Sequence, residues 1–160
     1  MNSIIVGMAE FKFAEPPYRL VTYGLGSCVA IVLYSREAVV GAMAHVMLPL
    51  AYRDQNNEAP GKFADSAISA MVKQMEDRGI EVSRIEAKIA GGADMFAGQI
   101  QGSGRRIGAR NILAARKTLD YFGVRLAAQD VGGTSGRTVV FSTKTGLFTV
   151  RTLRGEVKEL

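Results

Sequence analysis

The sequence predicts an α/β fold, a layered α/β sandwich with mixed β-sheets and two main helices, in a single domain over residues 1–160. A chain of 160 residues is of ordinary size for one hydrophobic core. Its 48% hydrophobic and 22% charged residues are typical of a globular protein. Strand-like segments precede, separate and follow two helical patterns, an order that is neither strict βαβ alternation nor all-β.

The first third of the chain predicts strands. Four extended apolar segments are separated by prolines or turn-forming residues, at 3–13, 18–23, 28–34 and 39–48. The last two segments flank the polar tetrapeptide "SREA", whose length is typical of a hairpin turn. Both faces of this predicted hairpin are mostly apolar, which indicates that it lies in the interior of a layered fold.

Two amphipathic helices and a strand between them are predicted next. Apolar residues at three- and four-residue steps predict a helix over 63–75 that Gly79 ends, and a second helix over 107–122 that Gly123 ends. A strand that begins at Ile85 separates the two helices. Glycine-containing turns then separate three further predicted strands, at 124–133, 137–143 and 147–153.

Several classes of protein are disfavoured by composition. The longest apolar runs are far shorter than the ~20 residues of a membrane-spanning helix, so no membrane insertion is expected. The opening "MNSIIVGMAEFKF" lacks the features of a signal peptide, which predicts a cytoplasmic protein. A single cysteine, Cys28, fits a reducing compartment, and with one histidine, His45, the chain lacks ligands for a Cys/His zinc site. No metal or other cofactor is expected.

The net charge of +5 suggests an acidic partner. The densest basic segment is "GRRIGARNILAARK", with its charges at Arg105, Arg106, Arg110, Arg116 and Lys117. These residues form either a solvated helix face or a partner surface. The aromatic interleaving that stacks nucleic-acid bases is missing, so no nucleic acid is expected as a partner.

The hairpin also brings together the cysteine and the histidine. If its loop is centred on Arg36 and Glu37, Cys28 lies directly opposite His45, with Cβ atoms roughly 4.5 to 5.5 Å apart. Glycines at 24 and 26 allow a tight turn before the cysteine. Main-chain N–H groups near Gly26 and Ser27 could then hold an oxyanion.

Such a pair supports nucleophilic catalysis. An adjacent imidazolium lowers the pKa of a thiol and makes the reactive thiolate, and Thr22 is a candidate to orient the ring of His45. The competing interpretation is structural, because lone cysteines are often small buried hydrophobes. Spacing alone leaves both interpretations open.

Longer motifs bear on whether Cys28 is catalytic or structural. The segments "GLGSCVAIVLY", "GAMAHVMLP", "KFADSAI", "AKIAGGADMF", "IGARN" and "DVGGTSGRTVVFSTKTG" closely resemble the CheD family of chemoreceptor glutamine deamidases, in order along almost the whole chain. The Thr-x5-Cys-x16-His spacing is part of the resemblance. Ala42, where a second glycine is expected, and Tyr23, where an aliphatic residue is common, depart from the family pattern.

The resemblance implies a function. It implies the α/β/β sandwich of cysteine hydrolases distantly like bacterial toxin deamidases, and hydrolysis of glutamine side chains on methyl-accepting chemotaxis receptors to glutamate and ammonia. Cys28 would be the nucleophile, His45 the general base and acid, and Thr22 the residue that orients His45. The family also implies a partner, the CheC-type phosphatase of the response regulator CheY.

Two classes of function remain at this point. One is an active deamidase, and the other is a non-catalytic binding module that regulates a CheC-type phosphatase or the receptors. The intact set of Thr22, Cys28 and His45 favours the enzyme, because a pure binding module has no need for it. A basic nucleic-acid-binding domain is a distant third.

Overall fold

The computed structural model describes residues 2–51, 59–96 and 106–160. Its strands are β1 (Ser3–Ile5), β2 (Phe11–Ala14), β3 (Arg19–Leu25), β4 (Val29–Ser35), β5 (Val40–Val46), β6 (Glu86–Gly91), β7 (Arg125–Val131), β8 (Arg137–Ser142), β9 (Phe148–Thr152) and β10 (Val157–Glu159). Its helices are α1 (Ala64–Asp77) and α2 (Ile107–Phe122), with short 3-10 turns at Pro60–Lys62 and Val82–Arg84.

Within these described ranges the strands form two sheets. One sheet has the order β1-β3-β8-β9-β10 and the other the order β2-β5-β4-β6-β7. The pairs β1–β3 and β6–β7 are parallel, and the remaining pairs are antiparallel. Both sheets are therefore mixed, and the predicted layered sandwich is confirmed.

The central hairpin β4–β5 is buried on both faces, because its sheet is the middle layer. Alternate side chains such as Val29, Ile31 and Leu33 pack against the two helices. The side chains between them, such as Ala30 and Val32, pack against the other sheet. The order of layers is helices, sheet, sheet.

The two predicted helices are confirmed. α2 spans the predicted residues and ends at Gly123, whose φ of 74° is the left-handed conformation that glycine adopts readily. α1 begins one residue later than predicted and continues to Asp77. No helix within the described ranges is both long and apolar enough to cross a bilayer.

The first predicted strand is wrong as a single element. Residues 3–13 form two strands in different sheets, joined by a turn between Gly7 and Glu10. In this turn the Glu10 N–H donates to Gly7 O at 3.2 Å, and the Glu10 carboxylate accepts from Gly7 N–H at 2.8 Å. Apolar residues continue on both sides of the turn, so the extended apolar run was interpreted as one strand. The strand β10 was not predicted either.

The predicted register of the central hairpin is wrong by two residues. Ser35 pairs with Val40 and closes a four-residue loop, and its hydroxyl accepts from Ala38 N–H at 3.1 Å. Ala30, and not Cys28, therefore lies opposite His45. Because the shift is an even number of residues, every side chain keeps its predicted face.

Candidate active site

Thr22 and His45 meet in the interface between the two sheets. Thr22 lies on β3 and His45 on β5, and both side chains are buried. Thr22 Oγ1 is 2.7 Å from His45 Nδ1 and 2.6 Å from the carbonyl oxygen of Val6. This contact brings together two of the predicted site residues.

The partners of Thr22 fix the tautomer of the histidine. A carbonyl oxygen can only accept, so the single hydroxyl proton of Thr22 is donated to Val6. The hydroxyl oxygen must then accept a hydrogen bond from the N–H at Nδ1 of His45. In the neutral ring the lone pair therefore resides on Nε2, the nitrogen that a general base needs.

Nε2 of His45 is available for chemistry. It is buried and has no hydrogen-bond partner among the described residues. Burial lowers the pKa of the imidazole, because the charged form loses hydration. At neutral pH the ring is consequently a neutral base.

Regular alternation along β3 places Thr22 on the buried face of Leu20, and a β-bulge follows Thr22. β3 pairs regularly with β8 up to Thr22 and Val139, but the next paired residues are Leu25 and Arg137, so β3 holds one extra residue. Gly24, in this stretch, has a φ of 69°. Bulges re-aim side chains next to functional sites. Here Thr22 stays buried while Tyr23, beside it, is 57% exposed.

Cys28 lies just before β4, at the end of the same hairpin. Its side chain is half-buried and packs at the border of the core between the two sheets. It shares a face with Ala30 and therefore with His45. By the observed register the two are diagonal neighbours, which places their backbones roughly 7 to 8 Å apart, within reach of side chains. In this structure the thiol does not hydrogen-bond to Nε2.

The main chain of Cys28 is held from the end of β6. Gly92 N–H donates to Cys28 O at 2.8 Å, and Ala93 N–H donates to Gly26 O at 2.9 Å. Gly91 has a φ of 111°, and a Cβ there would lie 2.3 Å from Cys28 O. Only glycine at this position permits so close an approach to the backbone of the cysteine.

Burial raises the pKa of the Cys28 thiol, and the cysteine's own N–H, which favours the thiolate, acts in the opposite direction. Since the pKa of His45 is lowered, the resting pair is a neutral thiol beside a neutral imidazole. The expectation that an imidazolium lowers the thiol pKa is not supported. The arrangement is suited to general-base removal of the proton as the sulfur attacks.

The two candidate oxyanion donors differ. The N–H of Gly26 already donates to Gly24 O at 3.1 Å. The N–H groups of Ser27 and Cys28 have no main-chain acceptor within the described part of the chain. The N–H of Cys28 also lowers the pKa of its own thiol, against the larger effect of burial.

Some contributors were missed from the sequence. Val6 was assigned only to an extended run, and no local pattern reveals that its carbonyl would bind Thr22. Asn111 of α2 is fully buried and donates to Ser27 O at 3.0 Å and to Met47 O at 3.1 Å. It lies within the motif "IGARN", and a buried asparagine on the apolar stripe of a helix is the signal that could have found it.

The basic set lies at and along α2, apart from Arg105, which is outside the described residues. Arg106 and Lys117 are exposed. Arg116 donates from Nε and a terminal nitrogen to Gln129 Oε1 on β7, at 3.0 and 2.7 Å. The set therefore includes one side chain that stabilises the contact between α2 and β7.

Comparisons with a family model and with curated relatives all match CheD proteins. A family model described as "CheD chemotactic sensory transduction" matches residues 47–152. "Probable chemoreceptor glutamine deamidase CheD 2" of Geobacter metallireducens is 44% identical over 100% of both chains. "Chemoreceptor glutamine deamidase CheD" of Thermotoga maritima is 43% identical over 98% of both.

Among solved structures, a match is the "Crystal structure of Bacillus licheniformis hypothetical protein YfiH", at a TM-score of 0.48 and 13% identity. It covers 78% of this chain and 49% of that one. The full-length relatives align across the segment that carries Thr22, Cys28 and His45 as well as the part matched by the family model. The chain belongs to the CheD family.

Proposed function

We propose that this protein hydrolyses the side-chain amides of glutamine residues on methyl-accepting chemotaxis receptors, releasing ammonia and leaving glutamate. The observation that carries the proposal is the Val6–Thr22–His45 chain of hydrogen bonds, which leaves a basic Nε2 on the face that Cys28 shares. The chain belongs to a family whose full-length relatives are named chemoreceptor glutamine deamidases.

The first half of the reaction is attack by Cys28. His45 Nε2 removes the thiol proton as Sγ bonds to the amide carbon, and the carbonyl oxygen becomes an oxyanion. The imidazolium then donates that proton to the amide nitrogen, the C–N bond breaks and ammonia leaves. The product is a thioester between Cys28 and the receptor side chain. Hydrogen bonds between catalytic groups often tighten only when substrate is bound, so a resting thiol without a bond to Nε2 is compatible with this step.

The second half is hydrolysis of the thioester. His45 removes a proton from water, the hydroxide oxygen attacks the thioester carbon, and the proton returns to the departing sulfur of Cys28. In this scheme the Thr22 hydroxyl bonds to Val6 O and His45 and takes no part in either attack. It holds Nδ1 so that the same ring nitrogen acts in both halves.

The oxyanion is held by main-chain donors in the turn before β4. The N–H groups of Ser27 and Cys28 have the least competition, because Gly26 N–H is bound to Gly24. Gly26 contributes to this turn because it has no side chain, since a Cβ at this position would lie 3.2 Å from Met95 Cγ. A stabilised oxyanion supplies much of the rate enhancement in acyl-transfer sites of this kind.

The substrate, partner and compartment are parts of the proposal. The net charge of +5 suits an approach to glutamate-rich receptor helices. A CheC-type phosphatase as partner rests on the family resemblance alone, and a pull-down with the purified phosphatase would test it. The substrate lies on the cytoplasmic helices of the receptors, so the protein would act in the cytoplasm.

The alternative of a non-catalytic binding module is less favoured. A binding module gains nothing from a buried histidine whose Nε2 lacks a partner, because such a group destabilises the fold. A site that moves protons needs that nitrogen free.

The test is mass spectrometry of receptor cytoplasmic fragments incubated with the protein. Each converted glutamine gains about 1 Da, and added hydroxylamine should divert the thioester to a hydroxamate. Cys28→Ala should convert none. Ser69→Ala, at an exposed position on α1, is the control and should remain active. Conversion by Cys28→Ala would refute the mechanism, and no conversion by the wild type would refute the activity.

A further inference from the structure

Asn111 joins the two segments that carry the nucleophile and the base. It lies on α2 and is fully buried. Its Nδ2 donates to Ser27 O at 3.0 Å and to Met47 O at 3.1 Å. Since both neighbours are carbonyl oxygens, the orientation of the amide is fixed, with NH2 toward them.

These two carbonyls lie beyond the end of the hairpin ladder. Val29 and Val46 are the last paired residues of β4 and β5. Ser27 immediately precedes Cys28, and Met47 follows His45 by two residues. Past the last ladder pair, a single side chain on a helix therefore binds both diverging segments.

We propose that Asn111 is a positioning residue of the reaction: by binding both carbonyls it sets the separation of Cys28 from His45 and the direction of the Cys28 N–H. The inference rests on the proposed function and adds a residue to it. Asn111 touches no reacting atom in this scheme. It acts through the backbone on either side of the site.

The peptide between Ser27 and Cys28 explains the effect on the N–H. The peptide unit is planar and trans, so its C=O and N–H point in opposite directions. Holding Ser27 O toward α2 therefore turns the Cys28 N–H away from the helix. That N–H stabilises the sulfur of its own residue as a thiolate, as expected for a donor directed at the site of reaction.

The approach of α2 is itself close. A Cβ at Gly108, one turn before Asn111, would lie 2.5 Å from Gly92 O and 2.6 Å from Ala93 O. Gly92 in turn holds Cys28 O through its N–H. The helix is thus seated against the same turn that holds the nucleophile, which gives Asn111 a fixed base.

The chemistry of the position requires a side chain that donates hydrogen bonds and not one that only packs. Asn111 Oδ1 is buried and has no hydrogen-bond partner among the described residues. An unpartnered buried oxygen is unfavourable, and at this position it is offset by two donations to main-chain carbonyls, which a leucine could not make. The two donors must therefore provide something that packing alone does not.

The test compares Asn111→Leu, which keeps the volume and removes both donors, with Asn111→Ser, which leaves a smaller polar side chain. Leu119→Ala is the matched control, because Leu119 is buried on the same helix about two turns further on and its side chain cannot hydrogen-bond to either segment. We measure kcat and KM on receptor fragments, the pH midpoint of Cys28 alkylation by iodoacetamide, and urea unfolding for every variant.

We expect Asn111→Leu to lower kcat by about 10- to 100-fold with KM within about threefold, because misplacement of reacting groups affects the chemical step. The alkylation midpoint should rise, since the Cys28 N–H loses its direction. Leu119→Ala should lower stability but change neither kcat nor the midpoint. If Asn111→Leu does not fold, the same shifts in Asn111→Ser decide.

The inference is overturned if both Asn111 variants keep the wild-type kcat and alkylation midpoint, or if Leu119→Ala changes them equally. A failure of the proposed function looks different, because it leaves Cys28→Ala active or the wild type inactive. In that case the alkylation midpoint alone decides whether Asn111 directs the Cys28 N–H.

Discussion

Thr22 and His45 belong to different sheets, and the 2.7 Å contact between Oγ1 and Nδ1 joins them. The imidazole ring of His45 is therefore oriented by a residue of the other sheet. The hydroxyl is fixed in turn by Val6 O. Orientation of His45 depends on how the two layers pack, so changes at Thr22 test both packing and chemistry.

Thr22→Val should lower kcat by about 10- to 100-fold, because the shape is kept while the ring loses the group that holds its Nδ1 proton. KM on receptor fragments should stay close to that of the wild type, and Thr22→Ser should restore most of the rate. The measurement is steady-state deamidation followed by mass spectrometry.

The control for this change is Thr143→Val. Thr143 is also fully buried, and its hydroxyl also donates to a main-chain carbonyl, Tyr18 O, at 2.6 Å. Both valine variants should lose about 1 to 3 kcal/mol of unfolding free energy, because each leaves a buried polar group without its partner. Only Thr22→Val should lose turnover. Equal activity in the two variants would contradict the orienting role.

The pH dependence of kcat/KM follows from the directions of the two shifts. The base must be neutral, and burial lowers the pKa of His45. Activity should therefore persist below the ordinary histidine pKa of about 6.5 and decline only at lower pH. The thiol pKa is raised, so no second loss is expected across neutral pH. If kcat/KM already declined above pH 7 as the solution was acidified, Cys28 and His45 would not be a neutral resting pair.

The same shift makes stability depend on pH. The pKa of His45 is lower in the folded than in the unfolded protein, so the unfolded state binds more protons below about pH 6.5. The neutral His45 ring therefore contributes stability above its pKa in the unfolded state. That contribution is lost as the pH falls toward its lower pKa in the folded state. Urea unfolding of the wild type and His45→Gln measures it. The wild type should lose more stability on acidification than the variant.

The sequence allowed much of this architecture to be predicted. Periodicity located both helices, with α2 at its observed bounds, and the alternating faces of β4 and β5 were assigned correctly. Local patterns could not place the turn at Gly7–Glu10 or the register of the hairpin, because side-chain and main-chain bonds to Ser35 and Glu10 decide them. A register shift of two residues leaves every side chain on its predicted face, so the burial pattern does not reveal the shift.

The site was predicted less completely than the fold. Thr22, Cys28 and His45 were proposed together, and the structure places the first and last in contact. The direct pairing of Cys28 with His45 was wrong, because the observed register places Ala30 opposite His45. The supports of Cys28 come from β6 and α2, about 60 to 80 residues away in the chain, and no local pattern reports a contact of that separation.

Gly91 gives the sharpest test of how Cys28 is held. With a φ of 111° and a Cβ position 2.3 Å from Cys28 O, Gly91→Ala adds backbone strain and also displaces the nucleophile. Gly155→Ala is the matched control, since Gly155 has a φ of 94° and nothing lies within 4 Å of its Cβ position. Strain alone costs about 1 to 3 kcal/mol at a position of this kind, so both variants should unfold at lower urea concentration than the wild type. Only Gly91→Ala should also lose turnover, by about 100-fold if Cys28 moves by about 1 Å. Full activity in a folded Gly91→Ala protein would show that the end of β6 does not set the position of the nucleophile.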